Sequence, residues 1–158
     1  MKVINNCLNK EDLIIIQNLM MNNQFPWFIT WGISNAKNKD YQFTHTFHDG
    51  IKINSDYFNL IYFFIKILKP NSFIRIKANL LLKTNKIIEH GYHVDNDVKE
   101  SKTAIFYVNN NNGFTKFENG KISKSEENKL IIFDTDQKHT GTTCTDELFR
   151  IVINFNYV

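Results

Sequence analysis

The alternation of apolar and polar residues divides the chain into a helical N-terminal part and a longer part made of short strands. Apolar residues at helical spacing follow Asn9, a residue type that caps helices, and continue to Met20. A second helix is predicted from near Ser55 to the residues before Pro70, where the proline ends it. The aromatic segment Pro26–Gly50 shows no regular pattern.

After Pro70 the alternation of apolar and polar residues changes from the period of a helix to that of a strand. In residues 73–82, polar side chains alternate with apolar ones, which is typical of β-structure. The turn Asn119-Gly120 lies between two further short runs and predicts a hairpin. Many short strands with turns between them predict a mainly β fold with N-terminal helices, in a sandwich or barrel. The further predicted strands are Thr103–Asn109, Phe114–Phe117, Lys129–Asp134 and Leu148–Tyr157.

Length and composition limit the classes of protein that need consideration. A chain of 158 residues fits one domain, which we expect to span residues 1–158. Two cysteines cannot form a disulfide framework, which favours a reducing, cytoplasmic location. No apolar stretch approaches the roughly 20 residues of a membrane-spanning helix, so a membrane is not an expected partner. The 19 basic and 16 acidic residues neither require nor exclude nucleic acid.

A His-x-Asp pair provides the first candidate for a metal site. If residues 91–96 are extended, His93 and Asp95 project from one face, because side chains two residues apart share a face of a strand. The pair then offers a metal one imidazole and one carboxylate. His90 would project from the opposite face, although a His-x-x-His pair with His93 is an alternative. By itself, a His-x-Asp pair is a weak signal.

His139 and Arg150 add the remaining parts of a site. Arg150 begins an almost wholly apolar run, where an arginine costs stability unless a partner compensates it. No acid is adjacent to it within the strand, so either an acidic ligand or the preceding Asp146 or Glu147 is its partner.

Charge counting favours the acidic ligand. Fe(II) bound by two neutral imidazoles and one aspartate has a net charge of +1. A dianionic 2-oxo acid changes this to −1, and Arg150 restores neutrality. Two histidines and one carboxylate also leave positions on iron for a co-substrate and for O2.

These residues resemble the pattern of the 2-oxoglutarate/Fe(II)-dependent dioxygenases. The motif at His93 and Asp95, the distant His139 and the strand at Arg150 are similar to the prolyl-hydroxylase-like branch and to short phage-encoded members. The likeness covers about residues 73–157. It implies a double-stranded β-helix, or jelly roll, preceded by the helical and aromatic segment 1–72. It also implies Fe(II), 2-oxoglutarate and O2 as cofactors, with His93, Asp95 and His139 as metal ligands.

The resemblance assigns further residues to the co-substrate. Arg150 and Tyr107 would hold the far carboxylate of 2-oxoglutarate, although Tyr107 alone is also compatible with a core tyrosine. Asn79 resembles an asparagine that precedes a co-substrate tyrosine in the nucleic-acid demethylases. Here leucines occupy the position of that tyrosine, and Asn156 replaces a second arginine of the demethylases.

The function implied by the resemblance is hydroxylation of a C–H bond, coupled to decarboxylation of 2-oxoglutarate to succinate. The expected substrate is a protein, a peptide (with prolyl hydroxylation as one case) or a small molecule, and nucleic acid is not an expected partner. We expect residues 1–60 and the loops 96–102 and 109–113 to cover it. The alternatives are a nucleic-acid demethylase, a cupin-like metal protein without 2-oxoglutarate chemistry and a non-catalytic binding module. His45 and His48 either line the substrate entrance or are ordinary histidines of the aromatic segment.

Overall fold

The structure is a computed structural model that describes residues 1–33 and 40–158. Within these residues the chain forms ten strands, two α-helices and one 3-10 helix at Phe58–Ile61. The α-helices are α1 (Lys10–Met20) and α2 (Tyr62–Leu68). The strands are β1 (Lys2–Ile4), β2 (Phe28–Trp31), β3 (Tyr41–His48), β4 (Phe73–Leu82), β5 (Lys102–Tyr107), β6 (Phe114–Phe117), β7 (Ile122–Lys124), β8 (Lys129–Asp134), β9 (His139–Gly141) and β10 (Phe149–Tyr157).

The strands form two antiparallel sheets. The larger sheet has seven strands in the order β1-β8-β5-β10-β4-β3-β2, and the smaller has three in the order β7-β6-β9. Phe117 of the smaller sheet packs with Ile105, Ile131 and Val152 of the larger one, so the two sheets enclose an interior between them. The predicted mainly β, jelly-roll fold is confirmed.

The central strands of the larger sheet are covered on both faces, and the two faces differ in polarity. Alternate residues of its central strands, such as Ile76 and Phe155, pack against the helices in the main apolar cluster. The intervening residues turn toward the smaller sheet and include Lys77, Asn79 and Arg150. Because side chains alternate along a strand, one strand supplies both a core face and a polar interior face.

The first helix is confirmed with its predicted cap, and the second begins later than predicted. Asn9 Oδ1 accepts the backbone N–H of Asp12 at 2.8 Å. Ser55 does not begin a helix; its hydroxyl binds Nε2 of His45 and the backbone N–H of Tyr57, and the 3-10 helix at Phe58–Ile61 comes before α2. In the part of the chain that the structure describes, neither helix is long and apolar enough to cross a lipid bilayer.

The strands after Pro70 match the predicted segments closely. β4, β6 and β8 have the predicted bounds, and β5 and β10 differ from them by one or two residues. The predicted hairpin joins β6 to β7, with Gly120 at a φ of 83° in its turn. The segment Pro26–Gly50 contains β2 and β3, which extend the larger sheet at its edge; its residues 34–39 lie outside the described part.

We expect Phe64→Ala to destabilise the fold strongly. Phe64 is fully buried, and its ring lies 4.8 Å from the rings of both Phe106 and Phe155. Loss of such a side chain costs about 3–5 kcal/mol in the free energy of unfolding, measured by urea denaturation. The exposed Lys66→Ala on the same helix serves as the control, with an expected change of under ~0.5 kcal/mol. Equal changes in the two variants would contradict this packing.

Candidate metal and co-substrate site

One antiparallel bridge brings the two histidines of the predicted site together. The backbone N–H of His93 donates to the carbonyl of His139 at 3.0 Å, and the reverse bond has the same length. The two imidazole rings therefore lie side by side, with centroids 4.7 Å apart. Directly paired residues on adjacent strands project to the same side, which explains why residues distant in sequence converge.

Both imidazoles present Nε2 to the site. Nδ1 of His93 lies 3.2 Å from the carbonyl oxygen of Gly91, and Nδ1 of His139 lies 3.1 Å from that of Gln137. A carbonyl only accepts, so each Nδ1 carries the proton and each Nε2 has a free lone pair. This is the tautomer that a metal ligand requires, held by backbone bonds of the kind that orient ligating histidines.

Asp95 faces both histidines. Its Oδ1 lies 3.8 Å from Nε2 of His93, and its Oδ2 lies 3.8 Å from Nε2 of His139. Oδ2 also accepts the amide of Asn156 at 3.0 Å and the hydroxyl of Thr103 at 3.2 Å. These bonds fix the carboxylate while leaving it directed at the imidazoles.

The protonation states suit a metal site. Burial would raise the pKa of Asp95, but the charge of His139, the Asn156 amide and the charges of Arg75 and His93 lower it below its ordinary value. Burial lowers the pKa of His139, and Asp95 opposes this only in part. At neutral pH, Asp95 is thus an anion and His139 a neutral imidazole.

The three residues fit a divalent transition metal. Ligand atoms of His93, Asp95 and His139 all lie within 4.8 Å of one another. Adjacent ligand atoms on an ion with bonds of about 2.1 Å lie roughly 3 Å apart, so the groups would move together by about 1 to 2 Å on binding it. Two imidazoles and one carboxylate on one side of the ion form the facial set typical of non-haem iron.

Arg150 is buried in the interior without a carboxylate beside it. Its Nε donates to the hydroxyl of Ser125 at 2.7 Å, and its Nη2 donates to the hydroxyl of Thr115 at 3.2 Å. Burial lowers the pKa of Arg150, yet a guanidinium stays protonated in proteins. The predicted alternative partners do not pair with it: Asp146 instead accepts the backbone N–H of Asn112. Arg150 therefore lies where an acidic ligand would complete its contacts.

The surroundings of Arg150 leave room for the guanidinium. A Cβ on Gly113 would lie 2.7 Å from Cδ of Arg150, so only glycine fits there. The guanidinium carbon lies 5.7 Å from the ring centroid of the fully buried Tyr107. The Tyr107 hydroxyl donates to the carbonyl of Ser123 over a long 3.4 Å, which leaves this hydroxyl weakly held.

One cavity of about 290 Å³ connects the triad to Arg150. Asn79 lines it, and its Oδ1 is buried with no hydrogen-bond partner among the described residues. A buried polar atom without a partner indicates that a ligand or water completes the site. Thr30, Gly32, Ile33 and Gln42 line the cavity from the N-terminal segment, whereas the loops 96–102 and 109–113 are not among its lining residues.

Two local predictions around the triad are wrong. Residues 91–96 do not form a strand; His93 makes only its isolated bridge, and Asp95 lies in a bend. His90 does not face away from His93, because the irregular backbone directs both into the cavity. His90 nevertheless is not one of the three converging groups.

The histidines of the aromatic segment lie outside the site. His45 is buried on the helix side of the larger sheet, where its ring nitrogens contact the Pro26 carbonyl and the Ser55 hydroxyl. Burial lowers its pKa. His45 is thus a satisfied core histidine, and His48 likewise does not line the cavity.

The sequence did not predict the role of several residues that the fold brings to the site. Thr103 and Asn156 hold Asp95, and Arg75 Nη2 lies 3.5 Å from Asp95 Oδ1. Lys77 lines the cavity beside them. The one available signal was the alternation of cations with apolar residues in a strand that is buried on both faces.

No protein-family model matches the sequence, and no curated protein matches it. Solved structures do resemble the fold. A 2OG-Fe(II) oxygenase family oxidoreductase from Burkholderia pseudomallei has a TM-score of 0.70 at 13% identity, covering 97% of this chain and 81% of that one. A Pseudomonas putida prolyl-4-hydroxylase has a TM-score of 0.65 at 11% identity, covering 99% and 91%. The chain has the fold of the 2-oxoglutarate/Fe(II) oxygenases.

A third structure of this oxygenase fold is a prolyl hydroxylase from Trichoplax adhaerens, in complex with a hypoxia-inducible-factor peptide fragment. It has a TM-score of 0.65 at 13% identity, covering 99% of this chain and 82% of that one. Fold alone does not assign an activity. In this chain, the converging triad and the buried arginine provide the separate argument for function.

We expect His139→Ala to abolish binding of one Mn(II) or Fe(II) ion, because it removes one of only three converging ligands in the described part of the chain. Isothermal titration with Mn(II) measures this, with a loss of at least about a hundredfold in affinity. The matched control is His90→Ala, which removes a cavity histidine outside the triad and leaves the affinity within about threefold. Equal losses in both variants would contradict the assignment of the triad.

Proposed function

We propose that this protein is a 2-oxoglutarate- and Fe(II)-dependent dioxygenase that hydroxylates a C–H bond of a peptide, protein or small molecule. The observation that carries the proposal is the cavity between the two sheets. One part of it holds two imidazoles and a carboxylate in a metal-binding arrangement, and the other holds a buried arginine without a carboxylate partner. A dianion that chelates a metal at the triad through one end and reaches Arg150 with its other end would suit both parts of the cavity.

His93, Asp95 and His139 would hold the iron. When bound, iron supplies the activation of O2 that couples decarboxylation of 2-oxoglutarate to hydroxylation. The backbone bonds to both Nδ1 atoms keep each Nε2 directed at the ion. Asn156 and Thr103 keep the Asp95 carboxylate in place and ionised.

Arg150 would bind the far carboxylate of 2-oxoglutarate. Ser125 and Thr115 position the guanidinium without neutralising it, so the charge remains available to a ligand. Tyr107 lies beside Arg150, although it is not among the lining residues of the cavity, and it would exchange its long bond to Ser123 for one to the same carboxylate. Asn79, whose Oδ1 has no described partner, would complete the co-substrate contacts along the cavity.

Exclusion of water is the remaining contribution of the chain. The apolar side chains of Ile105 and Val152 line the cavity between the triad and Arg150. Where the co-substrate displaces water, this buried interior would strengthen the ion pair between Arg150 and a carboxylate. It also protects a reactive centre from side reactions.

We expect the purified protein to release succinate when it is supplied with Fe(II), 2-oxoglutarate and O2. Arg150→Met should weaken binding of the inert analogue N-oxalylglycine roughly a hundredfold, because a charge-assisted pair of hydrogen bonds is lost. Calorimetry on the Mn(II)-loaded protein measures this affinity, and succinate release should fall with it.

Two comparisons control this experiment. The exposed Lys66→Met removes a cation on the helix side of the larger sheet and should leave both measurements unchanged. Mn(II) affinity should survive in Arg150→Met, which shows that the triad is still folded. A wild-type protein that binds no metal and releases no succinate would refute the proposed function. Normal analogue binding by Arg150→Met would refute the role of Arg150.

A further inference from the structure

The cavity carries more positive charge than the proposed reaction needs. Three cationic side chains, Arg75, Lys77 and Arg150, line it, and Asp95 is the only acidic residue among its described lining residues. Iron with Asp95 leaves one positive charge, 2-oxoglutarate reverses it, and Arg150 restores neutrality. Arg75 and Lys77 then leave a net charge of +2 among the described lining residues.

Lys77 is the unpaired member of this set. Arg75 contacts Asp95 at 3.5 Å, whereas no described carboxylate lies within 4.0 Å of the Lys77 ammonium. Lys77 is half-buried on the central strand β4, and its side chain lines the cavity. Burial, together with the charge of Arg75, lowers the pKa of Lys77. A nearby anion would restore the charged form.

The position of Lys77 separates it from the co-substrate end of the cavity. Lys77 pairs with Asn154 and Arg150 pairs with Leu81, so the two cations are offset by four residues, about 13 Å of strand. Lys77 lies two residues from Arg75 on the same face of β4, about 7 Å along it. Because Arg75 contacts Asp95, this cationic pair is beside the metal end.

We propose that Lys77, assisted by Arg75, binds a carboxylate or phosphate group of the primary substrate; this inference rests on the proposed oxygenase function. Asn154 Oδ1 and Arg75 Nε are buried there with no described partners, which indicates further polar contacts to a ligand. The cavity volume of 290 Å³ is at the low end of ligand pockets, which range from about 300 to 1,000 Å³. Because 2-oxoglutarate would share this cavity, only a small acidic group of the substrate would have room to enter it.

The test uses the protein loaded with Mn(II) and N-oxalylglycine, with inorganic phosphate and acetate as probes. Paramagnetic Mn(II) broadens the NMR signals of nuclei close to it, so each probe reports binding beside the metal. We expect saturable broadening of at least one probe in the wild type. Lys77→Met should weaken the affinity roughly ten- to a hundredfold, as expected for a lost charge-assisted hydrogen bond.

The controls distinguish this site from a general loss of structure. Lys77→Arg keeps a cation and should bind the probe within about threefold of wild type, and the exposed Lys66→Met should bind it normally. Lys77→Met should still gain thermal stability from Mn(II) and N-oxalylglycine. Stronger binding of phosphate assigns the substrate to phosphate esters, and stronger binding of acetate assigns it to carboxylic acids.

Three results would overturn the inference while leaving the oxygenase function in place. The first is that the loaded wild type shows no saturable probe binding, and the second is that Lys77→Met binds the probe as tightly as the wild type. The third is that Lys77→Met loses N-oxalylglycine binding, which would make Lys77 a co-substrate contact. Failure of the wild type to load Mn(II) or N-oxalylglycine is a different outcome. It would refute the proposed function and this inference with it.

Discussion

The guanidinium of Arg150 lies in the interior between two sheets, where a charge is stable only if polar groups or a counterion surround it. Two hydroxyls and a glycine that leaves space for the side chain provide part of that environment. The same strand, β10, carries Asn156, which holds the Asp95 carboxylate. One central strand therefore fixes both ends of the cavity. An acidic ligand that reaches from the triad to Arg150 would satisfy the polar groups at both ends.

Much of the fold could be predicted because the strands after Pro70 have regular periods and clear turns. The triad could be predicted because the arrangement of His93, Asp95, His139 and Arg150 along the chain resembles that of a known enzyme family, although the strand expected at Asp95 is a bend. The three ligand residues converge through the bridge between His93 and His139. This bridge joins segments that are distant along the chain, so no local sequence pattern predicts it. For the same reason, the contacts of Thr103 and Asn156 with Asp95 could not be predicted.

The structure also bears on the competing functions. A metal protein without 2-oxoglutarate chemistry gives no reason for a buried arginine that faces the metal cavity without a carboxylate partner. Asn156, which stands where the demethylases carry a second arginine, supports Asp95 through its amide, and Arg75 of β4 approaches the same carboxylate. The excess of cations near the metal end favours a substrate that brings its own negative charge.

The central claim is that one Fe(II) ion, held by His93, Asp95 and His139, is chelated by 2-oxoglutarate in this cavity. Anaerobic optical titration tests it directly, because a 2-oxo acid bound to Fe(II) gives a visible charge-transfer band that neither component gives alone. The account predicts a band that saturates at one 2-oxoglutarate per chain and is absent in His139→Ala. A wild-type protein that binds Fe(II) and 2-oxoglutarate without developing the band would contradict it.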